Sequence, residues 1–217
     1  MKVGVFDSGI GGLSVARAIQ AALPGNEVIF RNDEEHVPYG TRDIDEINSF
    51  VEPILRSMVE DGCKVIVVAC NTVTTNLIES LRRQMPIPLV GMEPMIKPAA
   101  EISSSGVIAV FATPKTLTSQ RYQWLKKSYA PNTTVLEPDC SDWTAMIENN
   151  QVDRDKIAKI VDDVCTKGAD QLVLGCTHYH WIEQLIKDSS HGRAEVMQPE
   201  QPVIEQLKKV LLSINSQ

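Results

Sequence analysis

Short apolar runs rich in β-branched residues alternate along this chain with longer stretches whose apolar residues recur every three or four positions. The short runs predict strands over 3–6, 28–31, 65–69, 89–91, 107–111, 134–137, 171–175 and 194–197. The longer stretches predict helices over 13–22, 43–61, 74–84, 116–128, 153–167, 181–188 and 202–212. VIVVA (65–69) is apolar throughout and QLVLG (171–175) nearly so, as in strands covered on both faces. Regular β–α alternation of this kind implies parallel sheets flanked by helices, an α/β fold.

The pattern repeats. VFDSGIGGLSV (5–15) and VFATPKTLTS (110–119) each read as a strand end, a turn of small and hydroxyl residues, and a helix start. VIVVACNTVTTNLIESL (65–81) and QLVLGCTHYHWIEQL (171–185) each read as a buried strand ending in Cys, a Thr within two residues, then a helix. Asp7 precedes Cys70 by 63 residues and Ala112 precedes Cys176 by 64. A duplicated spacing implies duplicated supersecondary structure. Two similar α/β lobes follow, related by a pseudo-two-fold axis, with a cysteine at the C-terminal end of one strand in each. Ligands of open parallel sheets bind at that end, and the positive end of a following helix favours a thiolate there.

Composition narrows the chemistry. The 217 residues suffice for one large domain or two small ones, and 43% hydrophobic with 23% charged residues is ordinary for a globular protein. A formal charge of −7 without a Lys/Arg run argues against a nucleic-acid surface. No apolar run approaches the roughly 20 residues that span a bilayer. MKVGVFDSG runs from Met1 into a strand without the pattern of a secretory leader, so a cytoplasmic location is expected. The cysteines, at 63, 70, 140, 165 and 176, are odd in number and form no C-x-x-C pair, which favours reduced thiols. Cys176 and His178 lack a second cluster to complete a metal site, so no metal is expected. DSGIGG (7–12) lacks the spacing of a phosphate loop, although its N–H groups would suit a carboxylate. The turn at Pro38, Tyr39 and Gly40 can likewise form an anion-binding nest.

Two thiols facing each other across a cleft can invert a stereocentre, one removing a proton and the other delivering one to the opposite face. Such groups must lie within hydrogen-bond reach of the proton and titrate near the working pH, which tuned cysteines can do. Asp7 and His178, one in each lobe, are the candidate tuners of Cys70 and Cys176.

FDSGIGGLSV (6–15), D-x-x-x-x-PYG-x-R (33–42), ACNT (69–72), G-x-E-P-x-IKPA (91–99), T-x-x-T-x-x-S (113–119) and LGCTHY (174–179) occur in this order over nearly the whole chain. In them the chain resembles the glutamate racemases of the aspartate/glutamate racemase superfamily. The resemblance implies a substrate held between two lobes, without pyridoxal phosphate, metal or other cofactor. It implies that Cys70 acts on the D-enantiomer and Cys176 on the L-enantiomer, assisted by Asp7 and His178. Ser8, Pro38, Tyr39, Gly40, Asn71, Thr72 and Thr177 would hold the substrate, with Thr113, Thr116 and Glu148 lining the site. The last helix would return to the first lobe, giving residues 1–92 with 198–217 as the Cys70 lobe and 93–197 as the Cys176 lobe. A homodimer is also implied, as is a role in peptidoglycan synthesis.

Some positions depart from the family pattern. His180 and Trp181 stand where Pro and Leu are usual, and Glu34-Glu35 replaces small or hydroxyl residues ahead of PYG. Ala112 replaces a common glycine, and Gln198-Pro199 a usual Asp-Ser. Three readings follow: an amino-acid racemase acting on glutamate, aspartate or another amino acid; a related superfamily isomerase or decarboxylase; or a non-catalytic amino-acid-binding protein.

Overall fold

Alternate residues of the central strands face different helices, which is why those strands are apolar on both sides. The computed structural model describes residues 1–216, with two four-stranded sheets, all parallel. The first is formed by β1 (Lys2–Asp7), β2 (Glu27–Asn32), β3 (Val65–Val68) and β4 (Leu89–Gly91), in the order β2-β1-β3-β4. The second is formed by β5 (Val107–Ala112), β6 (Thr134–Leu136), β7 (Gln171–Gly175) and β8 (Glu195–Met197), in the order β6-β5-β7-β8. Counted within each sheet the order is the same, and the eight expected strands are all present.

Helices α1 (Gly12–Ala22), α2 (Ile44–Glu60) and α3 (Asn71–Gln84) belong with the first sheet. Next come α4 (Ile96–Ile102), α5 (Pro114–Thr118), α6 (Gln120–Tyr129), α7 (Trp143–Glu148), α8 (Arg154–Thr166), α9 (Glu183–Ser190) and α10 (Glu200–Asn215). Phe6, Ile66 and Val68 pack on α2 and α3 through Val51, Leu55 and Leu81. On the opposite face Val3, Val5, Val65 and Val67 pack on α1 and α10 through Ile19, Val203 and Leu207. The second sheet divides the same way. Phe111, Leu172 and Leu174 meet α7, α8 and α9, whereas Ile108, Val110 and Val173 meet α4 and α6. Each fully buried aliphatic side chain contributes roughly 1.5–3 kcal/mol, and α10 thereby ties the end of the chain to the first sheet.

The helices differ from expectation in three places. The single helix expected over 116–128 is two, because Ser119 is extended (φ −66°, ψ 146°) and its hydroxyl accepts the Tyr122 N–H as a cap. Helices α4 and α7 were not expected; at seven and six residues they are too short to display a period. The segment after Cys176 is first a 3-10 turn, Thr177–Ile182, and becomes α-helical only at Glu183.

Candidate active site

The C-terminal ends of β1, β3, β5 and β7 carry the chemically distinctive residues, and they meet where the lobes face each other. Cys70 precedes α3 as its extended N-cap residue, two positions beyond Val68 at the end of β3. Its Sγ lies 3.6 Å from Ser8 Oγ and accepts the Val73 backbone N–H of the first helical turn. Burial and the nearby Asp7 carboxyl push the thiol up to about 12, against those two hydrogen bonds. Cys176 lies directly after β7, its Sγ 3.7 Å from His178 Nδ1 and 3.8 Å from Thr144 Oγ1 of α7. The sulfurs are near enough that the charge of Cys176 adds to the upward shift of Cys70. Both are closed off, with 4% and 7% of their surface exposed.

His178 is buried between two acceptors. Its Nε2 is 2.5 Å from Glu148 Oε1, which also accepts the Ile10 N–H at 2.9 Å. Burial opposes the imidazolium, but the hydrogen bonds to Cys176 and Glu148 and the charge of Asp7 outweigh it and raise His178 to about 10. The Glu148 carboxyl is held below its ordinary value: burial opposes this, but the bonds from His178 and Ile10 prevail. Glu148, expected to line the site, is held in it from two sides. It is engaged by His178 and the opposite lobe.

Asp7 does not bond Cys70 directly; Ser8 holds that position. Its carboxyl is wholly buried and accepts Thr177 Oγ1 from the second lobe at 3.1 Å, with Gly12 N at 2.8 Å and Gly9 N at 3.4 Å. Burial raises the Asp7 carboxyl despite His178 and these donors. The N–H groups of the DSGIGG turn thus serve the protein's own carboxylates, Asp7 and Glu148. Its glycines answer to close approach. A Cβ on Gly9 would lie 1.9 Å from Glu148 Oε1, and one on Gly11 2.6 Å from the His178 backbone nitrogen.

The remaining predicted residues gather in the same place. Thr72, at the start of α3, meets Thr113 at 2.9 Å and Thr116 at 3.4 Å across the lobe boundary. Asn71 donates through Nδ2 to Met92 O at 3.1 Å, while its buried Oδ1 has no partner. Gly40 packs so closely on Thr113 that a Cβ would meet that residue's own Cβ at 2.6 Å. Tyr39 is buried and donates to Asp33 Oδ2 at 2.5 Å, and burial with that carboxylate keeps the phenol protonated. Pro38 precedes it, partly exposed, at the head of a 3-10 turn over Tyr39–Thr41. Glu34 and Glu35 face solvent and place no carboxylate in the cleft.

Sequence reasoning missed Thr144, Asp33 and His36. Thr144 and Glu148 share one face of α7 at an i, i+4 spacing, which would have found Thr144 had the short helix been recognised. Asp33 holds both Tyr39 and His36, the latter at 2.8 Å, and His36 stacks on Phe50 with ring centroids 3.7 Å apart. The D-x-x-x-x-PYG spacing was the available signal for Asp33. Among the described residues, no group of three or more His, Cys, Asp and Glu is disposed to hold a metal, and no helix is long and apolar enough to cross a membrane.

Residues 11–205 match the family model described as Asp/Glu/Hydantoin racemase. The chain is 38% identical to the glutamate racemase of Herpetosiphon aurantiacus, covering 96% of this chain and 84% of that protein. It is 37% identical to the glutamate racemase of Pseudomonas aeruginosa, over 96% and 81%. Among solved structures it is similar to Escherichia coli glutamate racemase in complex with L-glutamate and the activator UDP-MurNAc-Ala. That likeness has a TM-score of 0.89 and 28% identity, over 97% of this chain and 82% of the other. A glutamate racemase isoform of Bacillus anthracis matches with a TM-score of 0.84 and 27% identity, over 97% and 81%.

Proposed function

The chain belongs to the Asp/Glu/Hydantoin racemase family, and on that premise we propose that it is a glutamate racemase working without a cofactor, by proton transfer between two thiols. The observation that carries the mechanism is the pair of buried cysteines at equivalent strand ends of two lobes, each with its own hydrogen-bonding partner. The relatives and solved neighbours that are themselves glutamate racemases support the substrate.

In the L-to-D direction Cys176, as thiolate, takes the α-proton. The α-carbon flattens, its electron pair delocalises into the carboxylate, and Cys70 delivers its thiol proton to the opposite face. No atom is gained or lost; the two sulfurs exchange protonation states, and the D-to-L direction runs the sequence backwards. The imidazolium of His178 supplies positive charge 3.7 Å from the Cys176 sulfur. Cys70 is held protonated, its thiol donating to Ser8 Oγ while its sulfur accepts the Val73 N–H. Asp7 lies beside the reacting centre, where its raised carboxyl can take part in proton balance. Ser8, Thr72, Thr113 and Thr116, with the Tyr39-Gly40 turn, offer buried donors for the two carboxylates, while Thr177, bonded to Asp7, closes the site from the second lobe. The unpartnered Asn71 Oδ1 accepts from the ammonium group. Since both sulfurs are buried, the lobes part to admit substrate and close to exclude water.

The units we assign are residues 1–92 with 198–217, and 93–197; of these, Gln217 lies outside the described residues. A cytoplasmic homodimer is the expected form, and in a bacterium with a peptidoglycan wall its product would supply D-glutamate to that wall. The test is α-proton exchange in D2O, followed by NMR under reducing conditions with L- and D-glutamate, aspartate and neutral amino acids. Exchange with racemisation of glutamate, and loss of racemisation in Cys70→Ala and in Cys176→Ala, is the expected result. Binding without exchange would leave only an amino-acid-binding protein.

A further inference from the structure

His180 stands where the family pattern usually has proline, and its side chain is 3% exposed. It belongs to the 3-10 turn that carries Thr177 and His178, yet it reaches the other lobe. Its Nδ1 is 3.2 Å from Glu200 Oε1 in the first turn of α10 and 3.3 Å from Ser14 Oγ of α1. The second departure meets it there. Pro199, in place of the usual serine, caps α10 with no side-chain hydrogen bond, so a first-turn carboxylate serves that helix end. The bond from His180 holds the Glu200 carboxyl below its ordinary value, so Nδ1 carries the proton and donates to an ionised Glu200. Its Nε2 is buried and without a partner. A buried polar atom left unsatisfied is tolerated where the rest of the group is firmly held or does work.

We infer that His180 is a positioning residue for the Cys176 half of the reaction: its bond to Glu200 fixes the Thr177–Ile182 turn against the first lobe and so sets His178 relative to Cys176 and the opposed Cys70. His180 touches neither sulfur and acts through the turn. The His180→Glu200 link and the uncapped Pro199 form one unit that couples the lobes at the point where the chain returns to the first. This inference rests on the two-thiol reading, with Cys176 serving the L-enantiomer.

The experiment compares His180→Ala, His180→Asn, Glu200→Ala and the His180→Ala/Glu200→Ala double variant, with thermal melts to confirm that each folds. Asparagine keeps an N–H near the Nδ1 position, so it should recover most of the loss. Each alanine variant should lower kcat/KM roughly ten-fold, as expected when a catalytic group is displaced, with the double variant no worse than either alone. The decisive readout is directional. The primary isotope effect on α-deuterated L-glutamate should rise in His180→Ala, because the step at Cys176 slows, and that on α-deuterated D-glutamate should fall. Folded His180→Ala with wild-type isotope effects in both directions, or losses that simply add, would overturn the inference. A wild-type enzyme that fails to racemise glutamate would instead remove the reading beneath it, so the two failures are distinguishable.

Discussion

The two lobes share a strand order and a cysteine at the same strand end, but they surround those cysteines with opposite chemistry. In the first lobe Cys70 opens a 14-residue helix and receives its Val73 N–H, with a hydroxyl from Ser8 and a buried carboxyl, Asp7, nearby. In the second lobe Cys176 leads only into a 3-10 turn, and its polar partners are the imidazole of His178 and the hydroxyl of Thr144. One thiol is raised to about 12; the other has an imidazolium at its side. Duplication of the backbone placed the sulfurs, and divergence of the side chains gave one proton donor and one cation-supported partner. Each L-to-D turnover starts from that asymmetry, and each D-to-L turnover from its reverse.

The contrast breaks most completely at the sulfurs. Cys70→Ser and Cys176→Ser should each cut racemisation by on the order of a thousand-fold or more, measured by circular dichroism of glutamate. Loss in only one variant would show that the lobes are not chemical counterparts. Next comes Glu148→Gln, which removes the carboxylate that keeps His178 charged. Activity should fall roughly 100-fold, and the basic limb of the kcat/KM pH profile should move down from near 10, because burial then opposes the imidazolium with only Cys176 and Asp7 left to favour it. An unmoved basic limb would mean that His178 does not govern it.

A smaller effect is expected at the turn after β1. Gly11→Ala places a methyl group against the His178 backbone and should cost about 1–3 kcal/mol in urea unfolding. Gly25→Ala, with nothing within 4 Å of the added carbon, is the control and should cost far less. Equal costs would show that the glycine turn is not under pressure from the opposite lobe.

The last test is the dependence of stability on pH. Because His178 is raised from 6.5 to about 10, its contribution is complete below about pH 6.5 and declines as pH rises towards 10. Cys70, raised from 9.0 to about 12, adds a further decline that begins near pH 9. Urea midpoints of His178→Asn should be flatter between pH 6.5 and 9, whereas Cys70→Ser should flatten only the region above 9.

Sequence alone determined the eight strands, their duplication and the place of both thiols. These are local or periodic properties: a buried parallel strand must be apolar on both faces, and a cysteine after such a strand must emerge at the sheet's C-terminal end. The resemblance brought in Thr72, Thr113 and Thr116, which the fold gathers in one place. Tertiary structure decided the pairings. Thr177 donates to Asp7 across 170 residues, Glu148 accepts Ile10 N across 138, and Ser14 meets His180 across 166. No period or propensity encodes such contacts, because each depends on how two separately built lobes dock. That is why Glu148, expected from the sequence only to line the site, appears as His178's partner in the fold. It is also why DSGIGG suggested a site for an external carboxylate: the turn does bind carboxylates, but they are the protein's own.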